Sequence, residues 1–244
     1  MEEISNTVHY AIGKYRDFTE HEERSKAEIK SLVENYGYET REENTQRLAK
    51  IIANTKDKKS EDDRVARKIA DIEEILEGYR PTDILDVGAG SGEILMGMIK
   101  HFKTEKAYAV EPKLEAKNFP FTVLKNYEDI PDNSVDLITV LETFHHINPA
   151  DRENILIQLH RILKPGGRLI IEEHDYNETP AMYTSLDIYH NYWYIVEKED
   201  YDPLHLMSLN SCKSMIEKLG FESLKNSMPK GWQRIYWASF QKTQ

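Results

Sequence analysis

The stretch Asp83 to Gly92, DILDVGAGSG, runs from a short apolar segment into glycines at positions 88, 90 and 92. Glycine allows the backbone to turn off a strand and approach a ligand without a Cβ clash, so a bulky residue at Gly88 or Gly90 should close the turn. A helix beginning near residue 93 would direct its free N–H groups to the same place. Glu111, about twenty residues further on, suits an acceptor of ribose hydroxyls. The layout is typical of a nucleotide-type cofactor site.

The pattern beyond this turn alternates between apolar strands and amphipathic helices, which predicts a parallel sheet. Strands are expected at 84–87, 107–110, 121–124, 137–140 and 169–172, and helices at 93–102, 149–163 and 211–219. The last two strands, near 223–226 and 235–240, are close enough in sequence for an antiparallel hairpin. The predicted fold is α/β: a Rossmann-like, seven-stranded, mostly parallel sheet with an antiparallel C-terminal hairpin, flanked by helices.

Two segments extend this domain. Residues 1–60 are highly charged, with apolar positions spaced as in helices but too few for a core, and they predict an N-terminal helical extension or lid. The domain itself then spans 61–244. Within it, residues 175–208 carry six of the fourteen tyrosines together with Trp193, and they predict an aromatic insertion over the mouth of the sheet.

Composition narrows the function classes. The chain has 32 Lys and Arg against 43 Asp and Glu, a net charge of −11 that repels polyanions and disfavours nucleic acid as a partner. Its single cysteine, Cys212, excludes an internal disulfide, and no Cys/His spacing predicts a metal site. No signal peptide or membrane span is recognisable, so we expect a cytoplasmic protein without membrane partners.

From about Val65 to Phe240 the chain resembles the class I S-adenosylmethionine-dependent methyltransferases, in particular their small-molecule, type 11 group. The resemblance rests on four motifs in order. They are Asp86-Val87-Gly88-Ala89-Gly90-Ser91-Gly92, Glu111, the segment Leu141-Glu142-Thr143-Phe144-His145-His146-Ile147, and His160-Arg161-Ile162-Leu163-Lys164-Pro165-Gly166-Gly167. Four motifs at the expected intervals are far more specific than a glycine turn alone.

The resemblance implies S-adenosyl-L-methionine as the cofactor. The residues it implies for cofactor binding are Asp86, Gly88, Ala89, Gly90, Gly92, Glu111, Pro112, Asn126, Tyr127, Leu141, Glu142 and His145. Asn126 takes the position of the family's usual adenine-binding Asp, and its amide oxygen can still accept from an adenine amino group. Asp86 has a second interpretation, in which it only orients the glycine turn.

Proton acceptors are expected at the carboxyl ends of the fourth and fifth strands, where open α/β sheets bind ligands. His174 is the first choice for a catalytic base, because histidine titrates near neutrality, and His146 and Glu142 are further catalytic candidates. Each histidine also has a structural interpretation, in which it packs and forms hydrogen bonds without meeting substrate. Glu173 and Asp175 are weaker candidates, and Glu172, inside the strand, is expected to be structural.

The favoured function is methyl transfer to a small molecule by direct in-line displacement. Its acceptor pocket would be lined by the aromatic insertion, chiefly by Tyr176, Tyr183, Tyr189, Tyr192, Trp193 and Tyr194. The alternatives are an RNA cap or nucleotide methyltransferase and a non-catalytic binding subunit with the same fold. The sequence also allows a homodimer.

Overall fold

A computed structural model describes residues 59–115, 118–175, 205–227 and 235–243, with side chains from Arg64 onward. Residues 1–58 of the predicted extension (1–60) and residues 176–204 of the predicted aromatic insertion (175–208) lie outside the described residues, so the roles of both segments stay predictions. The helices are α1 (Lys59–Leu76), α2 (Glu93–Phe102), α3 (Pro149–Ile162) and α4 (Leu209–Glu217). The strands are β1 (Asp83–Val87), β2 (Lys106–Val110), β3 (Thr122–Leu124), β4 (Val135–Leu141), β5 (Leu163–His174), β6 (Phe221–Ser227) and β7 (Ile235–Lys242).

Within the described residues these strands form one seven-stranded sheet in the order β3-β2-β1-β4-β5-β7-β6. The first five pair in parallel, whereas β7 is antiparallel to both β5 and β6. The fold predicted from the sequence, including the antiparallel C-terminal pair, is therefore confirmed. Because β1 and β4 are neighbours and the chain proceeds outward from them in opposite directions, the sheet has its topological switch point between these two strands.

The core has two layers because consecutive strand residues face opposite sides of the sheet. On one side Leu85 and Ile138 pack with the apolar faces of α3 and α4. On the other side Ile84 and Leu137 pack with α1 and α2. All four of these strand side chains are fully buried. Burial on both faces explains why the strands read as continuous apolar runs.

One boundary differs from the sequence prediction. The Lys164-Pro165-Gly166-Gly167 stretch, predicted to separate a helix from a strand, belongs to β5, which begins at Leu163 directly after α3. The pairing of β5 with β4 shifts between Val135 and Leu137, so the extra residues are absorbed as an irregularity in the strand. Lys164 uses this position to pair with Asp83, at 2.5 Å, on the edge of the sheet opposite the cofactor turn.

Candidate active site

The glycine turn follows β1 at the switch point, and two of its glycines are required for different reasons. Gly88 has φ +72°, and a Cβ there would lie 2.3 Å from Thr143 Oγ1. Gly90 has φ +53°, and a Cβ there would have no atom within 4 Å. A bulky residue at Gly88 would therefore collide with the segment after β4, and the effect of bulk at either glycine on ligand access stays a prediction. Gly90 faces open space.

Glu111 borders that open space from the end of β2. Its Oε2 accepts a hydrogen bond from the Gly90 N–H at 3.1 Å, and its Oε1 accepts from the Lys113 N–H at 3.0 Å. Each carboxylate oxygen can accept more than one hydrogen bond, so ribose hydroxyls can be added without breaking these contacts. The turn around Pro112 is fixed by Lys125, a residue that the sequence analysis missed, which donates to the carbonyls of Pro112 and Leu114 at 2.6 and 2.7 Å.

Asp86 lies beneath the turn rather than in the open space. Its side chain is buried, and Oδ1 accepts from the Thr139 hydroxyl at 2.7 Å. Burial raises the pKa of Asp86 to about 7; the Thr139 hydrogen bond opposes this shift, and the charge of Glu111 adds to it. This geometry favours the interpretation in which Asp86 supports the glycine turn.

The groups around this open space fit a nucleoside cofactor. Gly90 borders a space that a side chain would fill, and Glu111 lies beside it. The N-cap of α2 is Gly92, so no side chain caps the first N–H groups of that helix. Further along the edge, Asn126 Oδ1 accepts from the Glu128 N–H at 3.1 Å, so its amide oxygen already stabilises a turn. Tyr127 packs against the core, and burial raises its pKa to about 12. Contact of either residue with adenine stays a prediction.

The segment after β4 is attached directly to the glycine turn. The Thr143 hydroxyl lies within hydrogen-bond distance of the carbonyls of Leu141 and Val87, at 2.9 and 3.2 Å. Glu142, between Leu141 and Thr143 in sequence, adopts a left-handed backbone with φ +50°, and its N–H donates to the Glu172 carbonyl at 2.8 Å. Non-glycine residues rarely take this conformation, and it is characteristic of functional sites.

Lys68 of α1 sits between two carboxylates on one face of this region. Its ammonium contacts Glu172, which is 2% exposed, and lies 3.8 Å from Glu142 Oε1. Lys68 could not be identified as a site residue from the sequence, because the periodicity of α1 shows only that it lies beside the apolar face. Glu172 has the structural role expected of it.

Three histidines lie at the carboxyl ends of β4 and β5. His145 and His146 lie in a 3₁₀ turn, Phe144–His146, and their ring centroids are 4.2 Å apart. The ring of His174, at the end of β5, lies 5.6 Å from that of His145. The structure thus places the ring of His145 close to both candidate bases, His146 and His174.

A buried carboxylate underlies this cluster. Glu173 is 1% exposed; its Oε2 accepts from the His145 N–H at 3.0 Å, and its Oε1 lies 2.7 Å from His145 Nδ1. Burial raises the pKa of Glu173, but the opposing charge and hydrogen bonds of His145, together with His174, outweigh it and hold the pKa at about 2. Asp175, one of the weaker candidates for proton acceptor, accepts from the Leu209 N–H at 2.9 Å at the start of α4, and its catalytic role stays a prediction.

Arg152 of α3, also missed by the sequence analysis, fixes the 3₁₀ turn from behind. The buried guanidinium donates to the carbonyls of Phe144 and Ile147, both at 3.1 Å, and to the carbonyl of His205. The His205 N–H in turn donates to the His145 carbonyl at 2.8 Å. Burial raises the pKa of the nearby Cys212 thiol to about 12, which disfavours its reactive thiolate form. No group of three His, Cys, Asp or Glu side chains in the described segments is arranged to hold a metal ion.

Such a site, a glycine turn with an acidic residue on the next strand at the switch point of a doubly wound sheet, defines a nucleoside-cofactor enzyme fold. The family model of the methyltransferase domain matches residues 39–226, and the chain belongs to this family. The recognition made from the sequence is therefore confirmed, and S-adenosyl-L-methionine is the cofactor that the family and its fold imply.

Individual relatives are more distant. The chain is 35% identical to an uncharacterized methyltransferase of Mycobacterium tuberculosis over 95 residues, which cover 35% of this chain and 37% of the relative. It is 29% identical to the ubiquinone/menaquinone biosynthesis C-methyltransferase of Teredinibacter turnerae over 131 residues, or 47% of this chain and 52% of that one. The matches thus span between a third and about half of these relatives' lengths.

Solved structures show the same fold. A protein of Sulfolobus solfataricus assigned to the type 11 methyltransferases matches with a TM-score of 0.52 and 21% identity, over 73% of this chain and 93% of that one. An S-adenosylmethionine-dependent methyltransferase of Archaeoglobus fulgidus matches with a TM-score of 0.53 and 16% identity, over 75% and 94%. At these identities the likeness concerns the fold alone. No helix in the part of the chain that the structure describes is long and apolar enough to cross a bilayer.

Proposed function

We propose that this protein transfers a methyl group from S-adenosylmethionine to a small-molecule acceptor. The observation that carries the proposal is the gathering of His145, His146 and His174 at the carboxyl ends of β4 and β5, beside a segment that touches the glycine turn. Imidazoles at this edge can take a proton from a hydroxyl, amine or carbon acceptor. When bound, S-adenosylmethionine supplies a methyl group on an already activated sulfonium.

The residues of the chain then have three tasks. Gly90 and Glu111 border the space for the cofactor, and the Glu111 carboxylate would accept the ribose hydroxyls. Glu142, held in its left-handed conformation, links the segment after β4 to α1, because its carboxylate lies 3.8 Å from the Lys68 ammonium. The histidine cluster supplies the proton acceptor. Alignment of the acceptor and exclusion of water account for most of the remaining acceleration in such a transfer.

Charge and similarity support a small acceptor over RNA. The net charge of −11 opposes binding of a polyanion. The relative from Teredinibacter turnerae is a C-methyltransferase of ubiquinone and menaquinone biosynthesis, and this supports an apolar, ring-containing acceptor for the present protein as well. The aromatic insertion at 175–208 would suit such a ring.

The proposal also places the protein in the cytoplasm, in keeping with its single cysteine, and leaves the homodimer as a prediction.

The test is transfer of a labelled methyl group from S-adenosylmethionine to fractionated small-molecule extracts and, separately, to total RNA at low and moderate salt. We expect label in a small-molecule fraction, with a rate insensitive to salt. Label in RNA, falling steeply as salt rises, would replace this proposal with the nucleic-acid alternative. Cofactor binding without transfer to either pool would favour the non-catalytic binding subunit.

A further inference from the structure

Glu173 is a buried carboxylate beside the histidine cluster that accepts hydrogen bonds from two elements. It is 1% exposed, and its two oxygens accept from the backbone N–H of His145, at 3.0 Å, and the backbone N–H of His174, at 2.7 Å, as well as contacting the imidazole of His145. One buried group thus fixes the ends of two neighbouring elements, the turn after β4 and the end of β5. A buried carboxylate with this many donors is stable in its ionised form.

The ionised state of Glu173 determines which nitrogen of His145 carries the proton. A carboxylate can only accept, so at 2.7 Å the hydrogen must lie on His145 Nδ1. In the neutral imidazole the accepting lone pair is then on Nε2. A carboxylate that holds one imidazole nitrogen, so that the other can take up a proton, is the arrangement by which enzymes orient a histidine base.

The backbone of His145 is as firmly fixed as its ring. Arg152 holds the preceding carbonyl of Phe144, and the His205 N–H donates to the carbonyl of His145 itself. Two residues earlier, Thr143 contacts the glycine turn through the Val87 carbonyl. His145, which is 3% exposed, therefore lies on a turn that several hydrogen bonds fix after β4, one of the two strands at the switch point, and His174 is tied through its N–H to the same carboxylate.

We propose that His145 is the general base of the methyl transfer and that Glu173 is its positioning residue. This deepens the function proposed above and rests on it, and it shifts the catalytic role from His174, the first choice of the sequence analysis, to its neighbour. The acceptor would lose its proton to His145 Nε2, and the electron pair left on the acceptor atom would form the bond to the methyl group. The sulfur–methyl bond of the sulfonium would break at the same time, its electron pair would stay on sulfur, and neutral S-adenosylhomocysteine would leave. The resulting imidazolium keeps its Nδ1–H on Glu173, which stabilises the positive charge.

The direct test of the positioning role is the tautomer of His145, measured by nitrogen–proton correlation NMR on the full chain with isotope-labelled histidine. We expect the proton of the neutral ring on Nδ1 in the wild type, and its loss from Nδ1 in Glu173→Gln, whose amide can donate to the ring. Neutral His145 protonated on Nε2 in the wild type, or an unchanged tautomer in Glu173→Gln, would overturn the proposal. The wild-type measurement needs no variant, so it decides even if a variant fails to fold.

The catalytic role is tested by steady-state kinetics with the acceptor pool that takes up label. Glu173→Gln should lower kcat by roughly two orders of magnitude while the KM for S-adenosylmethionine changes less than about threefold, and Glu173→Asp should recover part of the loss. Asp83→Asn is the matched control: its carboxylate is also ion-paired at a strand end, at 2.5 Å from Lys164, but at the opposite edge of the sheet. It should keep the wild-type kcat.

The two proposals fail in different ways. A normal kcat in Glu173→Gln, or an equal loss in Asp83→Asn, would remove His145 and Glu173 from the mechanism and leave the small-molecule function intact. Label found in RNA would end the small-molecule function, while the same Glu173 comparison on RNA would still decide the base. Transfer to neither pool would overturn the base role together with the proposed function.

Discussion

Replacing Gly88 and Gly90 by alanine, one at a time, should separate a glycine needed for folding from one needed for ligand binding. Both have positive φ, +72° and +53°, so each alanine incurs about 1–2 kcal/mol of backbone strain. At Gly90 that is the whole effect in the free protein, because an added Cβ meets no atom within 4 Å. Gly90→Ala should therefore unfold about 1–2 kcal/mol more easily than the wild type.

Gly88→Ala should lose further stability through a steric clash. Its Cβ would lie 2.3 Å from Thr143 Oγ1 and 2.4 Å from Thr143 Cγ2, far inside the roughly 3.5–4.0 Å of normal contact. Displacing Thr143 also weakens its contacts with Val87 and Leu141. Overpacking of this kind costs about 1–3 kcal/mol, which brings the total to about 2–5 kcal/mol.

The assay is urea unfolding at 25 °C together with titration calorimetry of S-adenosylmethionine. We expect Gly90→Ala to retain most of its stability but to lose affinity at least tenfold, because its methyl group occupies the cofactor space. Gly88→Ala should lose more stability. Unimpaired binding by a folded Gly90→Ala, or equal destabilisation of the two variants, would refute this account of the turn.

Three further predictions concern buried charges. The folded pKa of Asp86, about 7, lies above its ordinary value of 3.8, so the free energy of unfolding falls as pH rises between these values. Asp86→Asn should therefore stabilise the free protein at pH 8 by on the order of 4 kcal/mol, but not at pH 4. Urea unfolding at both pH values measures the difference. The pH dependence that Glu173 causes has the opposite sign, because its folded pKa of about 2 lies below its ordinary value of 4.5. Its contribution to stability is present above pH 4.5 and is lost as pH falls. In acid unfolding, Glu173→Gln should therefore lose stability less steeply than the wild type between these pH values. Lys68→Met leaves the nearly buried Glu172 without its ammonium and should reduce the free energy of unfolding by about 3 kcal/mol, whereas Arg80→Met, which breaks an exposed pair, should have a much smaller effect in the same assay.

The fold could be predicted from the sequence because its information is local. Apolar runs, helical periodicity and the DVGAGSG turn each specify one element, and the parallel order follows from their alternation. The failure at Lys164 to Gly167 has a physical reason. Proline and glycines favour a break, but here the break is an irregularity inside β5, held in register by pairing with β4.

The site was predictable as a set of positions but not as a set of contacts. Glu111 and the histidines were found because they follow strands whose carboxyl ends share one edge of the sheet. The ion pair of Lys68 with Glu172 joins residues 104 positions apart, and the hydrogen bond between His145 and Glu173 joins residues 28 positions apart. No local pattern in the sequence encodes such pairs. The contacts of Lys68, Lys125 and Arg152 therefore could not be predicted from the sequence, because they depend on the tertiary structure.

The most direct test of the central claim, that the glycine turn and Glu111 form the S-adenosylmethionine site, is titration calorimetry of this cofactor with the wild type and Glu111→Gln. Glu128→Gln, which removes an exposed acid beyond β3, serves as the control. We predict binding to the wild type and the control, and affinity roughly 10- to 100-fold weaker in Glu111→Gln, since charge-assisted hydrogen bonds to the ribose are lost. No binding to the wild type, or equal affinity in Glu111→Gln, would contradict the account.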